Sequence, residues 1–291
     1  MIRSMTGYGN AEKITKRYHI KVEIKSLNGK FLELNLRTPK LLGEKEPVLR
    51  KFLSTKLIRG SVLCILSMDR EDDVVAGSKL NTALAKHYHQ QIKSLSDELG
   101  TDDKDILRSI LMMPEVMTSE DGSLEDSDWD DILEAVNEAY DKFDSFRLNE
   151  GSELRSMLLD HNTVISAQIP LIEQFEETRK QQVKDRLAFG LEEYTNKDKT
   201  VDLNRFEQEL IYYLEKLDIA EEKNRLKTHC ELFDKEINKG SNGKKLGFIS
   251  QEMGREINTL GSKAGFAPIQ ELVIVMKEEL EKIKEQTLNV L

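Results

Sequence analysis

The 291-residue chain has two cysteines, one tryptophan, five prolines and only 6% aromatic residues. Two distant cysteines give no disulfide framework. Cys64, in a strand-like apolar run, and Cys230, in a helical one, read as reduced structural thiols. No window approaches eighteen consecutive apolar residues, so no membrane span is expected. Residues 1–9 lack the apolar core of a secretory signal, so a cytoplasmic location is the expectation. A Walker A loop, a dinucleotide glycine fingerprint, His-Glu-x-x-His and Cys-x-x-Cys are all missing, which removes the chemistries those motifs serve. No repeat of fixed period is found either, which argues against a solenoid.

What is present is charge. Charged residues make up 33% of the chain against 38% apolar, a balance that suits long solvated helices with narrow apolar stripes. The net charge of −10 argues against nucleic acid until its distribution is read. Residues 1–70 hold 15 Lys and Arg against 6 Asp and Glu, residues 71–163 hold 8 against 23, and residues 164–291 hold 20 against 24. The basic first region, with Arg3, Lys21, Lys25, Lys30 and Arg37, is a candidate footprint for phosphates. A solvated basic sheet face explains the same composition equally well.

Residues 18–25 and 31–37 alternate apolar and polar, as strands do. Asn28-Gly29 between them predicts a hairpin turn, since both residues accept positive φ. Pro47 opens a short helix through Leu57, Gly60 ends it, and residues 61–68 form another strand. The Gly7 and Gly9 pair precedes a strand pattern, so it reads as strand or bulge; a phosphate loop would need a helix N-terminus there. From Lys79 the period is helical. One helix stops near Gly100, and a short one over 105–112 precedes Pro114. Residues 118–128 read as an acidic loop. Helices over 129–168, 170–194 and 201–238 are expected to form antiparallel hairpins. After a joint at 239–243, helices over 244–260 and 269–288 close the chain. The expected fold class is α+β. A basic, strand-rich N-terminal domain with one or two helices spans 1–78, a long-helix region spans 79–200, and a C-terminal helical domain carrying the candidate active site spans 201–291.

Three helical faces carry candidate chemistry. Asp218, Glu222, Arg225 and His229 recur at i, i+4, i+7 and i+11, within about 60 degrees of arc on a helix. Opposite them lie Leu210, Leu214, Leu217 and Leu226, so this stripe is also what the wet side of an amphipathic helix looks like. His229 adds an imidazole that can ligate a metal or move a proton near neutral pH. On the next helix Glu252, Arg255, Glu256 and Thr259 lie away from the apolar stripe of Leu246, Ile249, Met253, Ile257 and Leu260. Carboxylates at i, i+4 can share one Mg²⁺ or Mn²⁺, and Arg255 can hold a phosphate bidentately or serve as a structural bridge. On the last helix Glu278, Glu281, Lys282 and Glu285 face away from Val273, Met276, Leu280 and Ile283, a pattern usual for solvated surface.

Residues 251–263 (QEMGREINTLGSK) resemble the terminal signature of the YicC/YloC family of endoribonucleases. Residues 281–286 (EKIKEQ), 218–229 (DIAEEKNRLKTH) and 1–9 (MIRSMTGYG) are similar to further family segments, and the resemblance spans the chain, weakest from about 70 to 200, where mainly Glu150-Gly151 and Leu154 look familiar. The resemblance implies cleavage of single-stranded RNA aided by a divalent metal, Mn²⁺ or Mg²⁺. It also implies an α+β N-terminal domain joined to a helical region, and a homo-oligomer, a hexamer, that encloses its substrate. Carried over by position, Glu252 and Glu256 would hold the metal, with Glu281 and Glu285 as further acids. Arg255 and Lys263 would position the phosphate, His229 would act as acid or base, and Asn258 would orient the reactants. The chain departs from the pattern in three places. Gly254 stands where Asn is usual, Gly29-Lys30 where His-Arg is usual, and Lys284 replaces an Arg, keeping the charge and losing the planar fork. An RNA-binding adaptor and a purely structural homo-oligomer are the alternatives.

Overall fold

A computed structural model describes residues 1–70, 79–100, 105–118, 124–195, 208, 211, 212 and 215–291. The N-terminal segments form β1 (Gly7–Ile14), β2 (Tyr18–Leu27), β3 (Leu32–Arg37) and β4 (Gly60–Arg70), with α1 (Glu46–Lys56) before β4. They build one sheet in the order β1-β2-β4-β3. β2 is antiparallel to β1 and β4, and β3 is parallel to β4. The hairpin expected at Asn28-Gly29 is therefore not formed, because β4 lies between β2 and β3. Burial explains this outcome. β4 carries the apolar run 62–66, and a central place pairs both of its edges. β3 buries only Leu36 and serves as an edge. Residues 28–31 instead cross the start of β4, where Leu27 is opposite Ser61 and Leu32 is opposite Gly60. A Cβ at Gly29 would come within 2.9 Å of Ser61 N.

The Gly7 and Gly9 pair lies within β1, as read from the sequence. A Cβ at Gly7 would come within 2.6 Å of the Phe143 ring, so glycine here lets a helix lie directly on the strand. That helix is α4 (Asp126–Thr195), which continues through Pro170. Two helices meeting at that proline were expected. The proline removes one intrahelical donor, yet Ile165, Ile169 and Ile172 around it are all buried in one core, and their packing holds the helix together. Part of the expected acidic loop is in fact the first turn of α4. Asp128 is buried, accepts the Glu125 N–H at 3.0 Å in the manner of a capping box, and pairs with Arg17 at 3.1 Å. Residues 119–123 of that loop lie outside the described residues.

Between β4 and α4, β5 (Lys79–Leu80) pairs with β6 (Met117–Thr118) around α2 (Thr82–Leu99) and α3 (Ile106–Leu111). The Asn81 side chain caps α2 and Gly100 ends it in the left-handed region, as its sequence position predicts. After α4 come α5 (Ala220–Lys239), α6 (Gly243–Ala264) and α7 (Ala267–Thr287). The helix expected over 201–238 is interrupted, since residues 217–219 are not helical. The Asp218 carboxylate accepts the Ala220 N–H at 3.2 Å, a local bond that competes with helix at that point. Residues 201–207 lie outside the described residues.

Two cores result, and α4 serves both. Its first turns, through Phe143, cover one face of the sheet together with Leu49 and Leu53 of α1. Its later turns pack with α5, α6 and α7. The chain ends join the cores: Met5 N–H donates to Asn289 O and Leu291 N–H to Arg3 O, both at 2.9 Å. Much of the basic excess of the N-terminal region is spent inside the molecule. Arg3 bonds Asp144 at 2.9 Å, Lys13 bonds Asp131 at 2.7 Å, and Arg17 bonds Glu125 at 2.6 Å. The acidic second region and the basic first one are partners.

The joint between α5 and α6 is held by Glu236. Its carboxylate accepts from Lys245 at 2.6 Å and from the Ser241 hydroxyl at 2.6 Å, with Lys239 at 3.3 Å. The Lys245 bond and then the Ser241 bond hold its pKa down at about 2. A carboxyl depressed in the folded state adds stability above the ordinary glutamate range, near 4.3, and loses it as pH falls toward about 2. Glu236→Gln should therefore lower stability at pH 7 and narrow the gap from wild type as pH falls from 4.5 to 2.5, followed by denaturant midpoints; a gap independent of pH would remove Glu236 from the joint.

Candidate active site

The apolar stripes read from the sequence are buried as expected. Leu246, Ile249, Met253, Ile257 and Leu260 of α6 and Val273, Met276, Leu280 and Ile283 of α7 share one core with Leu226, Cys230 and Phe233 of α5. Their burial fixes which faces remain for chemistry. Both cysteines are free and buried, and desolvation pushes the Cys64 thiol up to about 12 and Cys230 to about 11, so neither is a nucleophile near neutral pH.

On α6 the two acids at i, i+4 have different environments. Glu252 is 43% exposed and bonds Arg255 at 2.9 Å, whereas the Glu256 side chain is 11% exposed with Arg225 of α5 at 4.0 Å. Arg225 also holds Glu221 at 2.5 Å. Arg255 and Asn258 are exposed, and His229 of α5 is half-buried with no bond to either acid. On α7, Glu281 bonds Lys284 at 2.7 Å and Glu285 is exposed. Among the described residues no three His, Cys, Asp or Glu side chains gather to hold a metal ion, so Glu281 and Glu285 do not join both α6 acids in one cluster. Mg²⁺ that keeps water and phosphate oxygens needs only one or two carboxylates, and Glu252 and Glu256, one turn apart on α6, are the acids this helix supplies.

The α5 stripe differs from its expected form. Asp218 precedes the helix, and Glu222 is buried where a solvated face was read. Lys263 of α6 is committed there. Its ammonium donates to Glu222 at 2.7 Å and to the Asp218 carbonyl at 3.2 Å. The other Glu222 oxygen is buried without a hydrogen-bond partner, and among the described residues it is the one carboxylate oxygen so placed. Such an orphan is what a bound water or cation satisfies. Of the N-terminal cations, Lys21, Lys25, Lys30 and Arg37 are exposed; Lys25 bonds Glu23 at 2.8 Å, and Arg3 is held by Asp144.

A profile described as "Endoribonuclease YicC-like, N-terminal region" matches residues 2–156, and one described as "Endoribonuclease YicC-like, C-terminal" matches residues 172–291. The chain belongs to the YicC-like endoribonuclease family. It is 29% identical over 293 residues to the "Probable endoribonuclease YicC" of Clostridioides difficile (strain 630), covering 100% of both chains. It is 30% identical over 298 residues to the protein of the same description from Haemophilus influenzae, covering 99% of both. The two YicC-like profiles divide within α4, the helix shared by the two cores.

One departure from the family pattern, Gly254, sits in a tight place. Gly254 is buried, and a Cβ there would meet Leu280 at 3.2 Å and the Lys284 ammonium at 3.5 Å. The His161 to Glu279 pair at 2.5 Å, which ties α4 to α7, was not read from the sequence, because its partners are 118 residues apart. Lys282, then His161, hold the Glu279 carboxyl below the usual range. Removing the ammonium that compensates Glu222, with Lys263→Met, should cost about 1–3 kcal/mol and lower the denaturation midpoint, whereas Lys21→Met on the open sheet face should stay within about 0.5 kcal/mol of wild type. Equal midpoints for the two variants would show that Lys263 is no structural partner of Glu222.

Proposed function

We propose that this chain hydrolyses phosphodiester bonds within single-stranded RNA with the aid of a divalent metal ion, Mn²⁺ or Mg²⁺, as a cytoplasmic homo-oligomer, hexameric by family resemblance. The observation that carries the reading is the polar face of α6. It presents Glu252, Arg255 and Asn258 to solvent beside the buried Glu256, inside the segment that most resembles the family signature. Support for assembly comes from the apolar side chains that α2 and its surroundings leave outside, among them Leu95, Leu99, Leu107 and Met112.

Glu252 and Glu256 would hold the cation, which supplies Lewis acidity toward a phosphate oxygen and activation of water. Arg255 has five donors and uses only one side of its fork on Glu252, so its remaining N–H groups are open to a phosphate. His229 would accept a proton from the attacking water or donate one to the leaving oxygen, and Asn258 would orient either. Lys21, Lys30 and Arg37 offer exposed charge to the strand, while Arg3 and Lys263 serve their carboxylate partners first.

Purified protein should cut a fluorescent single-stranded RNA, stop in EDTA and resume with Mn²⁺ or Mg²⁺; RNA that binds but is never cut would favour the adaptor. Glu256→Gln keeps the volume and removes the charge, and should lower cleavage on the order of 100-fold with RNA affinity and oligomer size retained. Loss of assembly on gel filtration would instead favour the structural reading.

A further inference from the structure

The 28–31 crossing and the first two turns of α6 face each other across a cavity of about 410 Å³, within the range of ligand pockets. Lys30, Arg59 and Lys244 line it and no carboxylate does. Cations along α4 such as Arg3, Lys13 and Arg17 are matched with acids, whereas none of Lys30, Arg59 and Lys244 has a carboxylate partner among the described residues. Lys30 lies 5.6 Å over the Phe31 ring. Arg59 donates to the Met5 sulfur at 3.2 Å, a weak acceptor, and its Nε is buried with no partner at all. Three positive charges lining one cavity raise its potential and favour an anion there. The N-terminus of α6 adds to the same field, with Gly243 and Lys244 in its first turn lining the cavity.

The other lining side chains suit a nucleotide better than a bare anion. Phe248 is 58% exposed at this wall and offers a ring face for stacking. Gln251 supplies an amide that can read a base edge. Lys244, Phe248, Gln251, Arg255 and Asn258 are all exposed and follow one another along a single face of α6. From Lys244 to Arg255 is about 16 Å of helix rise.

We infer that this cavity seats one nucleotide of a single-stranded RNA, its phosphate on Lys30, Arg59 and Lys244 and its base on Phe248, and so sets where along the strand Arg255 and Asn258 act. The inference rests on the RNA-cleaving reading above and adds the subsite that holds the strand. Gly247 gives a clean test, because a Cβ there meets nothing within 4 Å, so a larger side chain would fill the cavity without disturbing the core.

Binding of a fluorescent single-stranded RNA and of uridine 5′-monophosphate, uridine and inorganic phosphate should be measured on wild type, Gly247→Leu and Lys244→Glu, each checked by thermal denaturation. Wild type should bind the monophosphate better than uridine or phosphate alone. Both variants should melt no lower than wild type, bind RNA at least about tenfold more weakly, and raise KM for cleavage. Lys244→Glu should also flatten the salt dependence of RNA binding by about one unit of slope. Unchanged RNA and nucleotide affinity in both variants would overturn the pocket while leaving cleavage intact. Weakened binding in both, with a wild type that never cuts, would keep the pocket and overturn the nuclease.

Discussion

Two arginines buried on α4 set the main electrostatic constraint on this fold. A guanidinium keeps its charge in a folded protein, so burying it is costly and the acceptors it does find are strongly held. Arg147 donates from Nε to the Ser4 carbonyl at 2.7 Å, and burial pushes its pKa down. Arg179 donates to the carbonyls of Ala264 at 2.7 Å, of Lys263 at 3.2 Å and of Leu217, and burial lowers its pKa as well. The first ties the N-terminal segment to the helix. The second closes the C-terminus of α6 and holds the break before α5. The two lie about 48 Å apart along the helix rise, one for each core.

The position of α6 follows from that constraint. Its last carbonyls are held by Arg179, its first turn lies against the end of α7 and its apolar stripe is buried in the shared core, so its polar stripe faces outward. Glu256 is then drawn under Arg225 and Glu222 under Lys263, while Glu252, Arg255 and Asn258 remain in solvent. The facing helices α5 and α6 thus each bury one acid, Glu222 and Glu256, while α6 keeps other polar groups exposed. Burial separates the two sets; residue type alone does not.

Charge distribution tells a related story. An acidic chain with a basic first quarter suggested a phosphate footprint in the sheet. Packing directs several of those cations to the first turns of α4, where Asp128, Asp131 and Asp144 wait. Three cations without a carboxylate partner among the described residues meet where the sheet approaches α6. Lys30 and Arg59 come from the N-terminal region and Lys244 from the C-terminal one, so no linear window shows them as a cluster.

Local pattern alone was enough for the apolar stripes of α6 and α7, for β2, β3 and β4 and for the glycine end of α2, because each depends on neighbours one or two turns away, and the absence of cysteine motifs was enough for the two inert thiols. The terminal signature was enough for the family. Strand order, the unbroken course of α4 through Pro170 and the early end of the helix before α5 depended on long-range burial, and there β4 outcompeted a sound turn signal at Asn28-Gly29. The same holds for the roles of single side chains. Lys263 and Lys244 are both lysines on one helix, yet one neutralises a buried glutamate and the other lines a cavity of positive charge. Only tertiary structure separates them, since the energy of a charge is set by what surrounds it and those surroundings come from segments far apart in the chain.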